Sequence, residues 1–189
     1  MKTAIYQGIV SAFCLAAQAA VAADAGESKT SSGTLPAAGK MPTLPVIVTE
    51  NDSYFTLANA NVTARVNKRS GDLVSLQYRG RELLGKASGH ACGYWSHTTS
   101  GAARVVDAVT IDPHSNGGQR GEVSIKSISQ GTAIGSGPGG STVCDIEIRY
   151  SLGRGDSGLY TYSIFNHEPD YPATSIGEAR FAAKLNEQV

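Results

Sequence analysis

A strict alternation of side chains near the C-terminal end of the chain constrains the fold more than any other feature of the sequence. Over residues 177–186 the odd positions are Gly, Ala, Phe, Ala and Leu, whereas the even positions are Glu, Arg, Ala, Lys and Asn. A period of two residues predicts a β-strand with one apolar and one ionic face. Helical spacing fits less well, because Phe181 and Leu185 would then have only alanines along their stripe.

The ionic face of this strand carries two cations, Arg180 and Lys184. Two cations projecting from a rigid strand are what an acidic sugar polymer requires. A solvated outer face explains the same residues without any ligand. The pattern alone leaves both interpretations open.

Short alternating segments of the same kind occur through most of the chain and are separated by turn residues. The 22 glycines and the low content of charged residues agree with many turns and mostly β structure. The sequence therefore predicts an all-β fold. The other predicted strands cover residues 46–49, 54–57, 61–67, 73–78, 103–111, 122–128, 144–150 and 159–167, and residues 85–100 are expected to be irregular.

The N-terminal residues are typical of a targeting segment rather than of a folded domain. Lys2 precedes an apolar run, and small residues at positions 20–22 suit a signal peptidase. Residues 1–22 are therefore interpreted as a signal peptide and residues 23–45 as a disordered linker, since the latter contain almost no large apolar side chain. The folded domain is expected over residues 46–189, in a secreted, extracellular protein.

Cysteine usage fits an oxidising compartment. Removal of the signal peptide would take Cys14 and leave Cys92 and Cys144. The two are a candidate disulfide, and two independent buried thiols are the alternative. No cysteine or histidine pattern has the spacing of a metal site, so we expect no metal.

Charge and motifs exclude several classes of function. The formal net charge is zero, which gives no support to a nucleic-acid or membrane-surface partner. Residues 135–140 formally fit GxGxxG, but a period-two segment follows them instead of a helix, so we expect a hairpin loop and no cofactor. A GxSxG nucleophile elbow is absent from the sequence.

The residues that remain as candidates for chemistry are cationic and aromatic. Tyr160, Tyr162 and His167 lie on the predicted strand that precedes Arg180 and Lys184. If the two strands pair, cations and aromatic rings share one sheet face. Such a face suits a uronate, because Arg pairs with a carboxylate and Tyr stacks on a sugar ring. It also suits β-elimination, in which cations stabilise the enolate-like charge while a base removes the neighbouring proton.

Four ordered blocks of the sequence resemble one enzyme family. They are Ser70-Gly71-Asp72-Leu73, Glu82-Leu83-Leu84-Gly85, Gly93-Tyr94-Trp95-Ser96 and the segment from Arg154 to Phe181. In this order they are similar to the rhamnogalacturonan lyases of polysaccharide lyase family four. The resemblance extends over residues 48–186 and is more specific than any single block.

The resemblance implies a secreted endolyase that cleaves the rhamnose-galacturonate backbone of pectin, rhamnogalacturonan I, by β-elimination. It implies a β-sandwich of the galactose-mutarotase-like kind, here partial and truncated at the C-terminus. Arg180 stands where the family has a substrate-binding Arg, and Lys184 where it has another cation. We expect a monomer that needs no cofactor.

The chain also departs from the family pattern. The Lys and His that act in proton abstraction in the family lie downstream of the last block, and we find no counterpart before Val189. We therefore expect an N-terminal lyase region that is inactive by itself, with a non-catalytic carbohydrate-binding β-sandwich as the alternative. Asn51 and Asn61 begin Asn-x-Ser/Thr acceptors, which matter in a host that glycosylates.

Overall fold

The computed structural model describes residues 8–16, 43–86, 91–97, 102–132 and 142–187, with side chains excluded for 8–16, 102 and 103. Almost all regular structure in these ranges is β-strand, and the helix among them is a 3-10 turn at Pro113–Asn116. The strands are β1 (Gly8–Ala16), β2 (Ile47–Glu50), β3 (Tyr54–Ala58), β4 (Val62–Asn67), β5 (Leu73–Tyr78), β6 (Arg81–Glu82), β7 (Gly93–His97), β8 (Ala102–Ile111), β9 (Arg120–Ser129), β10 (Asp145–Gly153), β11 (Gly158–Asn166) and β12 (Ala179–Ala183).

The strands form two antiparallel sheets, which we call sheet A and sheet B. Sheet A has the order β1-β11-β10-β9-β8, and sheet B has the order β12-β7-β5-β4-β3-β2, with β6 beside β5. Apolar side chains from both sheets meet in one buried core. The predicted all-β sandwich is confirmed.

Alternating burial defines the core face of β10. On β10 the alternating apolar residues Ile146, Ile148, Tyr150 and Leu152 are buried in the core, as a period of two predicts. The phenol of Tyr150 crosses the sandwich and donates a 2.8 Å hydrogen bond to the carbonyl of Gly71, in the turn between β4 and β5. Gly71 adopts a φ of +74°, and a Cβ there would lie 2.9 Å from Ile148 Cδ1. The turn thus needs glycine for its backbone and for the space beneath it.

One element was not predicted. Residues 93–97 were expected to be irregular, but they form β7, which pairs with β12 along its whole length. The five residues of β7 include a glycine and are too few to show a clear period. The contact that makes them a strand comes from residues about 85 positions later in the chain, as in the pairing of Phe181 with Trp95.

The predicted N-terminal segments lie mostly outside the described residues. Within them, Gly8–Ala16 forms β1, an edge strand that pairs with β11. Backbone pairing does not test whether this segment is removed, so the signal peptide stays a prediction. The proposed linker lies outside the described residues up to position 42, as does the predicted glycine loop at 135–140.

Candidate functional site

The C-terminal strand β12 presents its ionic side to solvent, as the alternation predicts. Ala179, Phe181 and Ala183 pack against the core, whereas Arg180 is exposed. The neighbouring strand β7 places Ser96 opposite Arg180 and Tyr94 opposite Ala182. Directly opposed residues of an antiparallel pair share a sheet face, so Tyr94 lies on the same face as Arg180.

The second cation joins this aromatic ring. Lys184 Nζ lies 5.8 Å from the centroid of the Tyr94 ring, which is within the range of a cation-π contact. We call Arg180, Lys184 and Tyr94 the cationic face. The sequence identified its two cations, and Tyr94 was missed as a site residue although it belongs to one of the four family blocks.

Arg180 keeps most of its hydrogen-bonding capacity. Its side chain is 71% exposed, and its Nε lies 2.6 Å from Glu178 Oε1. Glu178 Oε1 has no hydrogen-bond partner among the described residues. The contact with Arg180 is therefore an ion pair without hydrogen-bond geometry. An exposed pair of this kind contributes at most about 1 kcal/mol. A ligand carboxylate can therefore displace Glu178 or bind the guanidinium beside it.

Backbone pairing fixes the position of Lys184. Its N–H donates to the carbonyl of Cys92 at 2.7 Å, and its carbonyl accepts from the N–H of Gly85 at 2.8 Å. A cavity of about 440 Å³ opens beside it, lined by Gly85, Lys86, Cys92, Lys184, Leu185, Asn186 and Glu187. Leu185, predicted to face the core, is instead 53% exposed, because β12 ends at Ala183 and only a single bridge joins Leu185 to Leu84.

Tyr160 and Tyr162 do not join the cationic face. Their strand β11 belongs to sheet A, whereas β12 belongs to sheet B, so the conditional pairing of the two strands is wrong. Residues 167–178 carry the chain from one sheet to the other and contain no regular strand. Both tyrosines lie on the outer side of sheet A, since Thr161, Ser163 and Phe165 between and after them are buried.

Tyr162 takes part in a polar cluster centred on Glu122, a carboxylate that is only 2% exposed. Glu122 Oε1 accepts from Thr110 Oγ1 at 3.0 Å and from Arg149 Nη1 at 3.1 Å. Glu122 Oε2 accepts from Arg120 Nη2 at 3.0 Å and from the Tyr162 hydroxyl at 3.1 Å. Burial raises the pKa of Tyr162. These contacts, which we call the Glu122 cluster, give Tyr162 a structural role in sheet A.

Trp95, the single Trp of the chain, is a core residue. It is 8% exposed, and its Nε1 donates a 2.9 Å hydrogen bond to Thr161 Oγ1 in the opposite sheet. His97 stacks on its ring at 5.5 Å and contacts Phe165 edge to face. Burial in these aromatic surroundings lowers the pKa of His97 to about 4. Trp95 therefore presents no open ring face on which a sugar could stack.

The cysteines are free thiols in the structure. Cys92 and Cys144 are both buried, which is the alternative to the candidate disulfide. Burial raises the pKa of the Cys144 thiol to about 11, so it is protonated at neutral pH. Within the described ranges, no three His, Cys, Asp or Glu side chains cluster as a metal site would require.

Comparison with known protein families gives the lineage of this fold. The model of the rhamnogalacturonate lyase family matches residues 30–189. The chain belongs to the rhamnogalacturonate lyase family. The match includes all four sequence blocks and the whole cationic face. This family membership supports a function related to rhamnogalacturonan lyases, with a polysaccharide substrate.

A search of curated proteins finds no match to this chain. In the part of the chain that the structure describes, no helix is long and apolar enough to cross a membrane.

Proposed function

We propose that this rhamnogalacturonate lyase family member is secreted and acts in pectin breakdown by binding the acidic backbone of rhamnogalacturonan. The observation that carries the proposal is the cationic face, where two cations and an aromatic ring lie on one solvent-facing side of β12 and β7. Family membership supports the choice of polymer. Export from the cell is supported by the composition of residues 1–22. An exported chain that still begins at Met1 would contradict cleavage after Ala22 or Ala23.

The chemistry of the cationic face suits a galacturonate unit. The exposed guanidinium of Arg180 can donate two parallel hydrogen bonds to a carboxylate. Tyr94 offers an aromatic surface for the apolar side of a sugar ring, and Lys184 adds a charge on the same face. Attraction between these exposed cations and a polyanion weakens as the salt concentration rises.

None of the histidines that the structure describes lies on the cationic face. His97 faces the core on the opposite side of β7 from Tyr94 and Ser96. His114 contacts Asp112, and His167 contacts the carbonyl of Pro172, so neither belongs to the cationic face. We infer that the base for β-elimination is not one of these three histidines. A non-catalytic carbohydrate-binding role is the second candidate, and it rests on the same face.

Binding of rhamnogalacturonan I oligosaccharides, measured by calorimetry, tests the proposal. Loss of a charge-assisted bidentate contact costs about 1.5–3 kcal/mol, so Arg180→Ala should weaken binding roughly 10- to 100-fold. Arg104→Ala is the matched control, because Arg104 is exposed on β8 in the other sheet and has the same charge. Equal loss in both variants, or equal affinity for a neutral galactan, would refute recognition by the cationic face.

A second measurement tests whether this chain catalyses β-elimination by itself. Incubation of the chain with rhamnogalacturonan I, followed by the ultraviolet absorbance of unsaturated products, reports β-elimination directly. We expect binding without product accumulation. Rapid product formation that Arg180→Ala abolishes would show that a base is present in this chain, and the purely binding role would then be wrong.

A further inference from the structure

The two Asn-x-Ser/Thr acceptors of the sequence occupy different structural settings. Asn51 follows β2 and lies in the exposed turn that leads to β3. Asn61 lies in the next turn, between β3 and β4, and is partly buried. Both match Asn-x-Ser/Thr, one as Asn51-Asp52-Ser53 and the other as Asn61-Val62-Thr63, so the pattern excludes neither site and the fold decides which amide nitrogen is accessible.

The side chain of Asn51 is anchored through its oxygen. Asn51 Oδ1 accepts from the N–H groups of Ser53 at 2.9 Å and Tyr54 at 2.8 Å, which closes an Asx turn. Its Nδ2 has no hydrogen-bond partner among the described residues. An amide held by its oxygen in an exposed turn directs its nitrogen away from the backbone. This is the atom to which an N-linked sugar attaches.

The nitrogen of Asn61 is occupied instead. Asn61 Nδ2 lies 3.3 Å from the carbonyl oxygen of Gly155 and 3.4 Å from that of Asp156, in the turn between β10 and β11. The side chain of Asn59 binds the same turn, at 2.8 Å from the carbonyl oxygen of Gly153. A sugar on Asn61 would have to occupy the space that this turn fills, and it would remove one of the two amide hydrogens.

We propose that Asn51 is a site of N-glycosylation in the folded protein and that Asn61 is not. In the reaction, Asn51 Nδ2 forms a bond to the anomeric carbon of an oligosaccharide carried on a polyisoprenoid pyrophosphate. The bond from that carbon to the pyrophosphate oxygen breaks, the pyrophosphate leaves with the electron pair, and the amide nitrogen loses one proton. The proposal rests on the proposed secretion, because such donors face the secretory lumen.

The test is expression of the full chain in a glycosylating host, with the host's own secretion signal before Met1. This design delivers the chain to the lumen even if residues 1–22 are not a signal peptide. Soluble chain from medium and cells is treated with an N-glycosidase and mapped by peptide mass spectrometry. Two variants remove one acceptor each while keeping both asparagines: Ser53→Ala and Thr63→Ala. Neither hydroxyl has a hydrogen-bond partner among the described residues.

We expect one glycan on the unmodified chain, at Asn51. Ser53→Ala should lose it completely, and Thr63→Ala should keep it at unchanged occupancy. A chain without a glycan, or one whose glycan survives Ser53→Ala, would overturn the assignment of Asn51. A glycan on Asn61 in soluble chain would overturn the exclusion of that site, because the contacts with Gly155 and Asp156 would then not protect it.

Discussion

Replacement of Glu122 by Gln is the most direct test of how sheet A is held together. Each carboxylate oxygen of Glu122 accepts one bond from an arginine and one from a hydroxyl group. A Gln side chain has one oxygen and one NH₂ group. In either orientation of the amide, its NH₂ group faces one arginine, which can only donate, and one hydroxyl, which can turn to accept. Glu122→Gln therefore removes the contact with one arginine whichever way the side chain turns, and it leaves the other arginine with a neutral acceptor.

The expected loss follows from the kinds of bond removed. A hydrogen bond to a charged group contributes about 1.5–3 kcal/mol and a neutral one about 0.5–1.5 kcal/mol. Arg120 is more than half exposed and can turn to water, which reduces the loss. We therefore expect Glu122→Gln to lower the free energy of unfolding by about 2–3 kcal/mol.

Urea denaturation followed by Trp95 fluorescence measures this change. With a slope of about 2 kcal/mol per molar urea, the midpoint should fall by roughly 1–1.5 M. Tyr162→Phe removes one donor and leaves Glu122 its other three, so it should cost less than Glu122→Gln, about 1–1.5 kcal/mol. Glu187→Gln changes an exposed carboxylate to the same amide and is the matched control. If Glu122→Gln and Glu187→Gln have the same midpoint, the Glu122 cluster does not stabilise the sheet as its geometry indicates.

Two further predictions concern β7. Folding lowers the pKa of His97 from 6.5 to about 4, so in this pH range the unfolded chain binds a proton that the folded chain does not. The free energy of unfolding therefore decreases as the pH falls from 6.5 to 4, by about 2 kcal/mol after allowance for the partial exposure of His97. His97→Gln should remove that part of the slope in denaturation measured across this range, and an unchanged slope would contradict it. Gly93→Ala places a Cβ 2.8 Å from the Leu73 carbonyl oxygen and should destabilise the sheet by about 1–3 kcal/mol. Thermal denaturation measures this change, and a midpoint equal to that of the parent would show that β5 and β7 separate without cost.

Much of the local structure follows from the sequence because alternation is a local property. The spacing of Ile146, Ile148 and Tyr150 is enough to predict their common core face, and the structure confirms it. The same holds for the exposed position of Arg180, on the opposite side of β12 from the residues that pack against the core. Family blocks added the lineage, which no periodicity could supply, and the family match confirms it.

The candidate site was only half predictable. Alternation gives each strand two faces but does not state which other strand lies beside it, since pairing partners are selected by contacts between residues far apart in the chain. Tyr160 and Tyr162 were assigned to the cationic face because their strand comes just before β12 in sequence. The connection at 167–178 changes sheets, so the neighbour of β12 is β7, and the aromatic ring on the face is Tyr94.

The sequence by itself thus determined that the chain forms two-faced strands, that Arg180 and Lys184 face away from the core, and which family the fold comes from. Only the tertiary structure decided that Tyr94 accompanies the two cations, that Tyr162 binds Glu122, and that Asn51 and Asn61 differ. The physical reason is the range of the interactions. Face and period are set within a strand, whereas sheet partners, burial of polar atoms and the free or occupied state of an amide depend on segments distant in sequence.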